Sequence, residues 1–409
     1  MVHREWIFAR KKTIMKKITV LGNFSGRNAG DAAILGGLLR DISTRYKRIE
    51  FYVPTINTSF VDDQFHIFKV KSVGMMPWNL SAKILGIPVL RSVLSSDLIL
   101  VTDAILFDRK LYNPLYNYLW TLSKILPLAC RKGIPVVLYN SSLGPVHTSA
   151  GKQALKNVID AAEMLILRDE ESLELIDQLG FHHPNIIRGA DCALNAEPVG
   201  EKRFREIVQA ENLFHSPRPV IGMNVNSYVD AFMRHGADSF GRETLVELYA
   251  STVDRLIAEL GVDIIFVETQ HMDMKIARNV LARIKQKENV RLISNKNYSY
   301  GDICSVLKKL ELFVGMRTHS LILSSAMGTV PVGIVTYPKN RGYMRTIGLQ
   351  DNLIEFKNLT VDNFSDLIIK AFQSRRELKN RMIPELVREK AKARDAALQL
   401  MPFLRGYSS

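Results

Sequence analysis

Short apolar runs rich in β-branched residues recur along this chain. Between them, apolar positions fall into the i, i+3, i+4, i+7 spacing of a one-faced helix. "KITVLG" (17–22) reads as a first strand, followed by a helix opened by Gly30-Asp31 with Ile34, Leu35, Leu38, Leu39 and Ile42 on one face. "EFYV", "DLILV", "IPVVLY" and "MLILR" continue as strands. The pattern loosens through "EPVGEKRFREIVQAENLFHSPRP", which reads as an irregular connection, and then restarts. "VIGMNV" (220–225), "VDIIFVE" (262–268), "LFVG" (312–315) and "PVGIV" (331–335) are the second series of strands. Helices are expected near 242–260, 273–286, 301–310 and 319–328.

Strands alternating with helices predict parallel sheets with crossover helices. The expected fold is α/β: two Rossmann-like, doubly wound domains facing a cleft, plus a C-terminal helix. The divisions are an extension at 1–14, an N-terminal domain at 15–200, a C-terminal domain at 201–375 and a basic helical segment at 376–409. A length of 409 residues suits two such cores.

The net charge of +14 changes this picture only once it is located. Residues 1–17 hold six Lys/Arg against one Glu and residues 366–409 hold ten against five acids, so most of the excess lies at the ends. No basic stripe crosses the core, which excludes a nucleic-acid partner. The basic tail is read as bracing the two lobes, with peripheral contact with an anionic membrane as the alternative. No apolar run reaches the length needed to span a bilayer, and residues 1–14 lack the apolar core of an export signal. Three widely spaced cysteines, Cys130, Cys192 and Cys304, fit a reducing cytoplasm and neither a disulfide framework nor a zinc site.

In doubly wound sheets ligands sit beyond the carboxyl ends of the strands, so the residues there carry the candidate chemistry. After the first strand, "GNFSGRNAGDAAIL" supplies Asn28 and Asp31 at a glycine-rich helix start, without the spacing of a dinucleotide or Walker loop. "NSSLGPVH" (140–147) offers Asn140, Ser141, Ser142 and His147, and reads more readily as a solvated loop. Capping and a local ion pair account for Arg168-Asp169. In the second half Asn224, Asn226, Tyr228, Glu268, Gln270, His271 and Asp273 gather at strand ends; His271 and Asp273 make half a metal site with no further ligands at a recognisable spacing. No metal and no cofactor are expected.

The sharpest signal is "GMRTHS". Arg317 and His319 flank Thr318, the expected N-cap of a nearly all-apolar helix, where backbone amides already favour an anion. Either these two basic groups receive an anionic ligand, or Arg317 is tied to an acidic neighbour and His319 is satisfied within the core. Lys339, Arg341 and Arg345 in "TYPKNRGYMRTIG" add positive charge at the same edge.

Together these motifs resemble the polysaccharide pyruvyl transferases. "GNFSGRNAGDAAIL", "GIPVVLYNSSLGP", "ILRDEESLELIDQLG", "RGADCAL", "VGMRTHSLILSSAMGTVPVGI" and "YPKNRG" follow in that family's order, with "GMRTHS" and the Arg-Asp-x-x-Ser element the specific ones. The resemblance implies a fold like the B-type glycosyltransferases and transfer of pyruvate from phosphoenolpyruvate to a sugar of a cell-surface polysaccharide or its precursor, forming a ketal. It implies donor binding by Arg317, Thr318, His319 and Lys339, with Arg317 and His319 catalytic and His319 a proton donor. Asn28, Asp31, Asn224, Glu268 and His271 are candidates for the glycan or lipid-linked acceptor side. One departure is "ILVTDAILFD" (99–108), where Asp103 and bulky neighbours stand in place of the family's glycine run. A nucleotide-sugar glycosyltransferase and a non-catalytic binding protein of polysaccharide assembly are the competing readings.

Overall fold

The computed structural model describes residues 15–75, 86–102, 105–112, 118–227 and 241–405. Residues 1–14, Asp103 and Tyr228, which figure in the sequence reading, lie outside the described residues.

The first sheet runs in the order β3-β2-β1-β4-β6-β7-β8, with the short β5 beside β6, and all its pairings are parallel. Its strands are β1 (Lys16–Leu21), β2 (Ile49–Thr55), β3 (Val70–Gly74), β4 (Leu98–Val101), β5 (Ile105–Leu106), β6 (Val136–Leu143), β7 (Met164–Leu167) and β8 (Ile186–Arg188). The second sheet, also parallel, is ordered β11-β10-β9-β12-β13-β14. It is built from β9 (Val220–Met223), β10 (Asp263–Glu268), β11 (Val290–Ser294), β12 (Leu312–Gly315), β13 (Val330–Val335) and β14 (Leu353–Glu355). The order of each sheet reverses beside its first strand, β1 or β9, the arrangement that opens a crevice at the strand ends.

The predicted strands are all present. The central ones are buried on both faces, as their unbroken apolar sequences require: β4, β9 and β12 are buried at every position. Three expectations need correction. The supposedly irregular stretch after Ala196 contains a helix, Glu201–Ala210. Thr318 does not cap its helix: Arg317, with extended backbone, occupies that position, and Thr318 begins the helix.

The third correction concerns Asn140, Ser141 and Ser142, which belong to β6 and are buried, not loop residues in solvent. Asn140 sits where the β6 register shifts, with a φ of 49° that asparagine tolerates better than most residues. Its Nδ2 donates to the Ala393 carbonyl and Cys192 Sγ, which docks the C-terminal helix onto the first sheet.

That helix, Arg375–Asp395, ties the lobes together. Lys390 donates to the Ala326 carbonyl in the second lobe, whereas Glu389 faces Arg188 and Asp395 faces Arg45 in the first. Its Leu378, Met382, Leu386 and Ala393 are buried. One apolar cluster is shared by both lobes and includes Leu35, Leu38, Ile303, Leu307, Ile322, Leu323 and Leu386. The helix Ala29–Arg45 lies at its centre. Gly37 admits the backbone of Cys192, which any side chain at that position would strike. Among the described residues, no helix is long and apolar enough to cross a membrane.

Candidate functional site

Six segments that follow strands β1, β7, β8, β10, β12 and β13 meet where the two sheets face each other. The turn after β1 reaches the turn after β10 directly: Ala29 N donates to the Thr269 carbonyl, His271 N donates to the Arg27 carbonyl, and Asn28 pairs with Gln270 as an isolated bridge. Asn28 caps the helix Ala29–Arg45, its Oδ1 accepting from Gly30 N at 2.8 Å. Gly30 then abuts the imidazole of His319, and a Cβ there would collide with the ring.

The helix Thr318–Ala326 delivers the central pair. Arg317 is tied to an acidic neighbour: its Nε and Nη2 form a fork onto both oxygens of Asp273, which is fully buried and also accepts from Ser227 N at 2.9 Å. His319 Nε2 stands 3.5 Å from Asp191 Oδ2, an ion-pair distance longer than a good hydrogen bond. The same oxygen lies 2.9 Å from Arg168 Nη1. Asp191 thus serves two bases from opposite lobes, and despite its burial Arg168 and His319 hold its carboxyl well below the usual range. Arg168 is therefore more than half of a local pair with Asp169. Asp169 caps the helix Glu170–Gln178 and lies 3.7 Å from Lys339.

Lys339 is buried on the helix Pro338–Thr346, reaching across the interface to Ser142 Oγ and Asp169. Burial pulls its ammonium down to about 8, against the opposing pull of Asp169. Asp169 is half-buried, which would raise its carboxyl, yet Lys339 and Arg168 hold it below the ordinary value. Arg341 and Arg345 turn outward to Glu355 and Glu171, so the positive edge expected from this segment narrows to Lys339. His147 is exposed, and its backbone N–H donates to Asp108.

Asp31 opens the helix Ala29–Arg45 and is buried facing His319, Arg168 and Arg317. Burial raises its carboxyl to about 7, more than those cations lower it. Glu268 is wholly buried and accepts from Val225 N. Burial, then the neighbouring Asp273, pushes its carboxyl well above the ordinary value.

Asn224 shapes the turn before Arg317, accepting from Met316 N at 2.9 Å. Thr318 Oγ1 donates to Asn340, and His271 Nε2 stays with the Asn295 carbonyl at 3.3 Å. Asp273 is committed to Arg317, and no group of His, Cys, Asp or Glu able to hold a metal occurs among the described residues.

The structure thus brings together Arg317, His319, Lys339 and Asp31, and adds Arg168, Asp169, Asp191, Asp273 and Ser142. Asp191 escaped the sequence reading. Its signal is "RGAD" directly after an edge strand, but a lone carboxylate there is indistinguishable from a turn residue until its partners are seen. Between the lobes at this point the cavity is only about 40 Å³, lined by Arg168, Asp191, Thr318 and Lys339 among others.

Two facing parallel sheets with a cation-lined crevice and a helix crossing back from the second lobe define a GT-B-type protein. The chain belongs to the polysaccharide pyruvyl transferase family, whose sequence profile matches residues 28–337. It is similar to the amylovoran biosynthesis protein AmsJ of Erwinia amylovora, 22% identical over 426 residues that cover 91% of this chain and 99% of AmsJ. Among solved structures it is similar to the UDP-GlcNAc 2-epimerase of Neisseria meningitidis bound to UDP-GlcNAc (TM-score 0.61, 12% identity, 95% of this chain and 99% of that one). Anabaena Alr3699/HepE in complex with UDP and glucose is also similar (TM-score 0.58, 13% identity, 95% and 99%). At these identities the solved structures speak for the fold. Family membership makes the protein a transferase of polysaccharide biosynthesis.

Proposed function

We propose that this protein transfers pyruvate from phosphoenolpyruvate to two hydroxyls of a sugar in a cell-surface polysaccharide or its precursor. The observation that carries the reading is the gathering of Arg168, Arg317, His319 and Lys339 at one helix mouth, in a chain of this family. Phosphoenolpyruvate carries a phosphate and a carboxylate, and guanidinium forks with a buried ammonium suit both.

In this reading Arg317 and Lys339 hold the donor's anionic groups and His319 contacts its phosphate. A proton is added to the methylene carbon of the enol, leaving positive charge at the carbon that bears the phosphate oxygen. One sugar hydroxyl bonds to that carbon, the carbon–oxygen bond to phosphate breaks, and a second hydroxyl closes the ketal; both hydroxyl protons are released. Asp31, protonated up to about pH 7 by its burial, takes the acid role that the resemblance assigned to His319. Its helix N-terminus and cationic neighbours then stabilise the carboxylate it becomes.

The experiment is incubation with phosphoenolpyruvate and extracted glycan acceptors, following phosphate release together with a pyruvyl mass increment on the glycan. Acceptor-dependent release of both kinds is the expected result. Thermal stabilisation by uridine diphosphate and none by phosphoenolpyruvate would instead favour a nucleotide-sugar donor.

A further inference from the structure

A second hollow, about 450 Å³, opens beyond the β1, β2, β10 and β11 strand ends, whereas His319 and Lys339 stand beyond β12 and β13. Between the two runs the Asn28–Gln270 bridge. The hollow is within the ~300–1,000 Å³ range of small-molecule sites. Both lobes line it; of the residues described above, Arg27, His271 and Asn295 belong to its lining, and none of the cation cluster Arg168, Arg317, His319 and Lys339 does.

Its chemistry differs from that of the cation cluster. The aromatic side chains of Phe60 and Tyr298 and the amides of Gln64 and Asn295 contribute to its lining. Asn295 is 8% exposed, and its Oδ1 has no hydrogen-bond partner. Arg27 is exposed at the tip of the β1 turn and Lys296 is exposed in the turn after β11. No carboxylate lines the hollow, and neither cation has an acidic partner among the described residues.

We infer that this hollow is a saccharide subsite for a sugar unit bearing a carboxylate, a uronic acid in the acceptor glycan next to the residue being modified. Aromatic faces and amides match the C–H face and hydroxyls of a pyranose, and two separate cations match one carboxylate. A phosphate cradle would use free helix amides, but Asn57 already caps the adjoining helix Thr58–Gln64, accepting from Phe60 N. This inference rests on the reading of the protein as a glycan-modifying transferase. Its test measures binding without phosphoenolpyruvate, so it stands or falls separately from catalysis.

Calorimetric titration would compare a trisaccharide ending in glucuronic acid with its glucose-ended counterpart. The acidic trisaccharide is expected to bind at least tenfold more tightly. The exposed-site double variant Arg27→Ala/Lys296→Ala should lose that preference while keeping the wild-type melting temperature. Equal affinity for the two trisaccharides, or a preference that survives in the double variant, would overturn the assignment. Inorganic pyrophosphate binding here more tightly than the acidic trisaccharide, and lost in the same variant, would also overturn it in favour of a phosphate site.

Discussion

Removing the Arg317 side chain leaves Asp273 a fully buried carboxylate with its charged partner gone, so this position serves the fold as well as the site. Breaking such a pair from one side costs about 3–5 kcal/mol. Arg317→Ala should therefore unfold at lower denaturant and release no phosphate from phosphoenolpyruvate. Adding Asp273→Asn should restore most of the stability and none of the turnover, which separates the two roles by chemical denaturation and by assay.

Asp31 gives a different signature. Its folded carboxyl titrates near 7, above the ordinary ~3.9, so the folded state holds the proton more tightly than the unfolded chain. The stability this contributes is complete below pH ~4 and is lost as pH rises towards 7. Asp31→Asn should flatten that decline in a pH series of melts. In the wild type, turnover should fall as pH passes above 7.

Arg317 and His319 were legible in the sequence because they stand between apolar runs, and Lys339 because it follows a strand in a basic stretch, whereas Arg168 read as half of a local pair. Their acids were legible only in part: Asp273 stood out at a strand end but as half a metal site, and Asp191 acquires meaning only when distant segments meet.

At the level of elements, the strands that escaped the sequence reading share a position. Apart from the two-residue β5, they are β3, β8, β11 and β14, the outer strands of the two sheets. An outer strand is covered on fewer sides, so Lys71, Arg188, Arg291 and Glu355 are tolerated there and the apolar run that marks a central strand is broken. Central strands such as β4 and β12 carry no such interruption and were plain. The helix Glu201–Ala210 was hidden for a related reason: only Ile207 is buried, which leaves almost no apolar stripe to read.

The C-terminal helix is the opposite case, because its charged sequence conceals a packed inner face. Leu386 is 3% exposed within the cluster shared by the lobes. Leu386→Ala should cost about 2–5 kcal/mol, read as a lower melting temperature; a loss below 1 kcal/mol would mean the helix does not brace the fold.

For the molecule as a whole, the lobes meet through charge as much as through apolar contact. Asp191 bridges Arg168 and His319, and Lys339 of one lobe reaches Ser142 and Asp169 of the other. A cavity of about 40 Å³ has room for little more than a water molecule, so in the proposed reaction phosphoenolpyruvate would have to enter with these lobes apart. Hinge movements of this kind often limit turnover. The rate at saturating substrates should fall in inverse proportion to solvent viscosity when sucrose is added; a rate indifferent to viscosity would place the slow step in bond making.

The bridging carboxylate of Asp191 also sets up a rivalry. In the proposed reaction it competes with the donor's negative charge for Arg168 and His319, so a donor would first have to displace an anion that the chain itself provides. Phosphoenolpyruvate would thereby be held more weakly than by four bases alone. In that reaction the same carboxylate, returning to Arg168 and His319, would help expel the phosphate left behind by ketal formation.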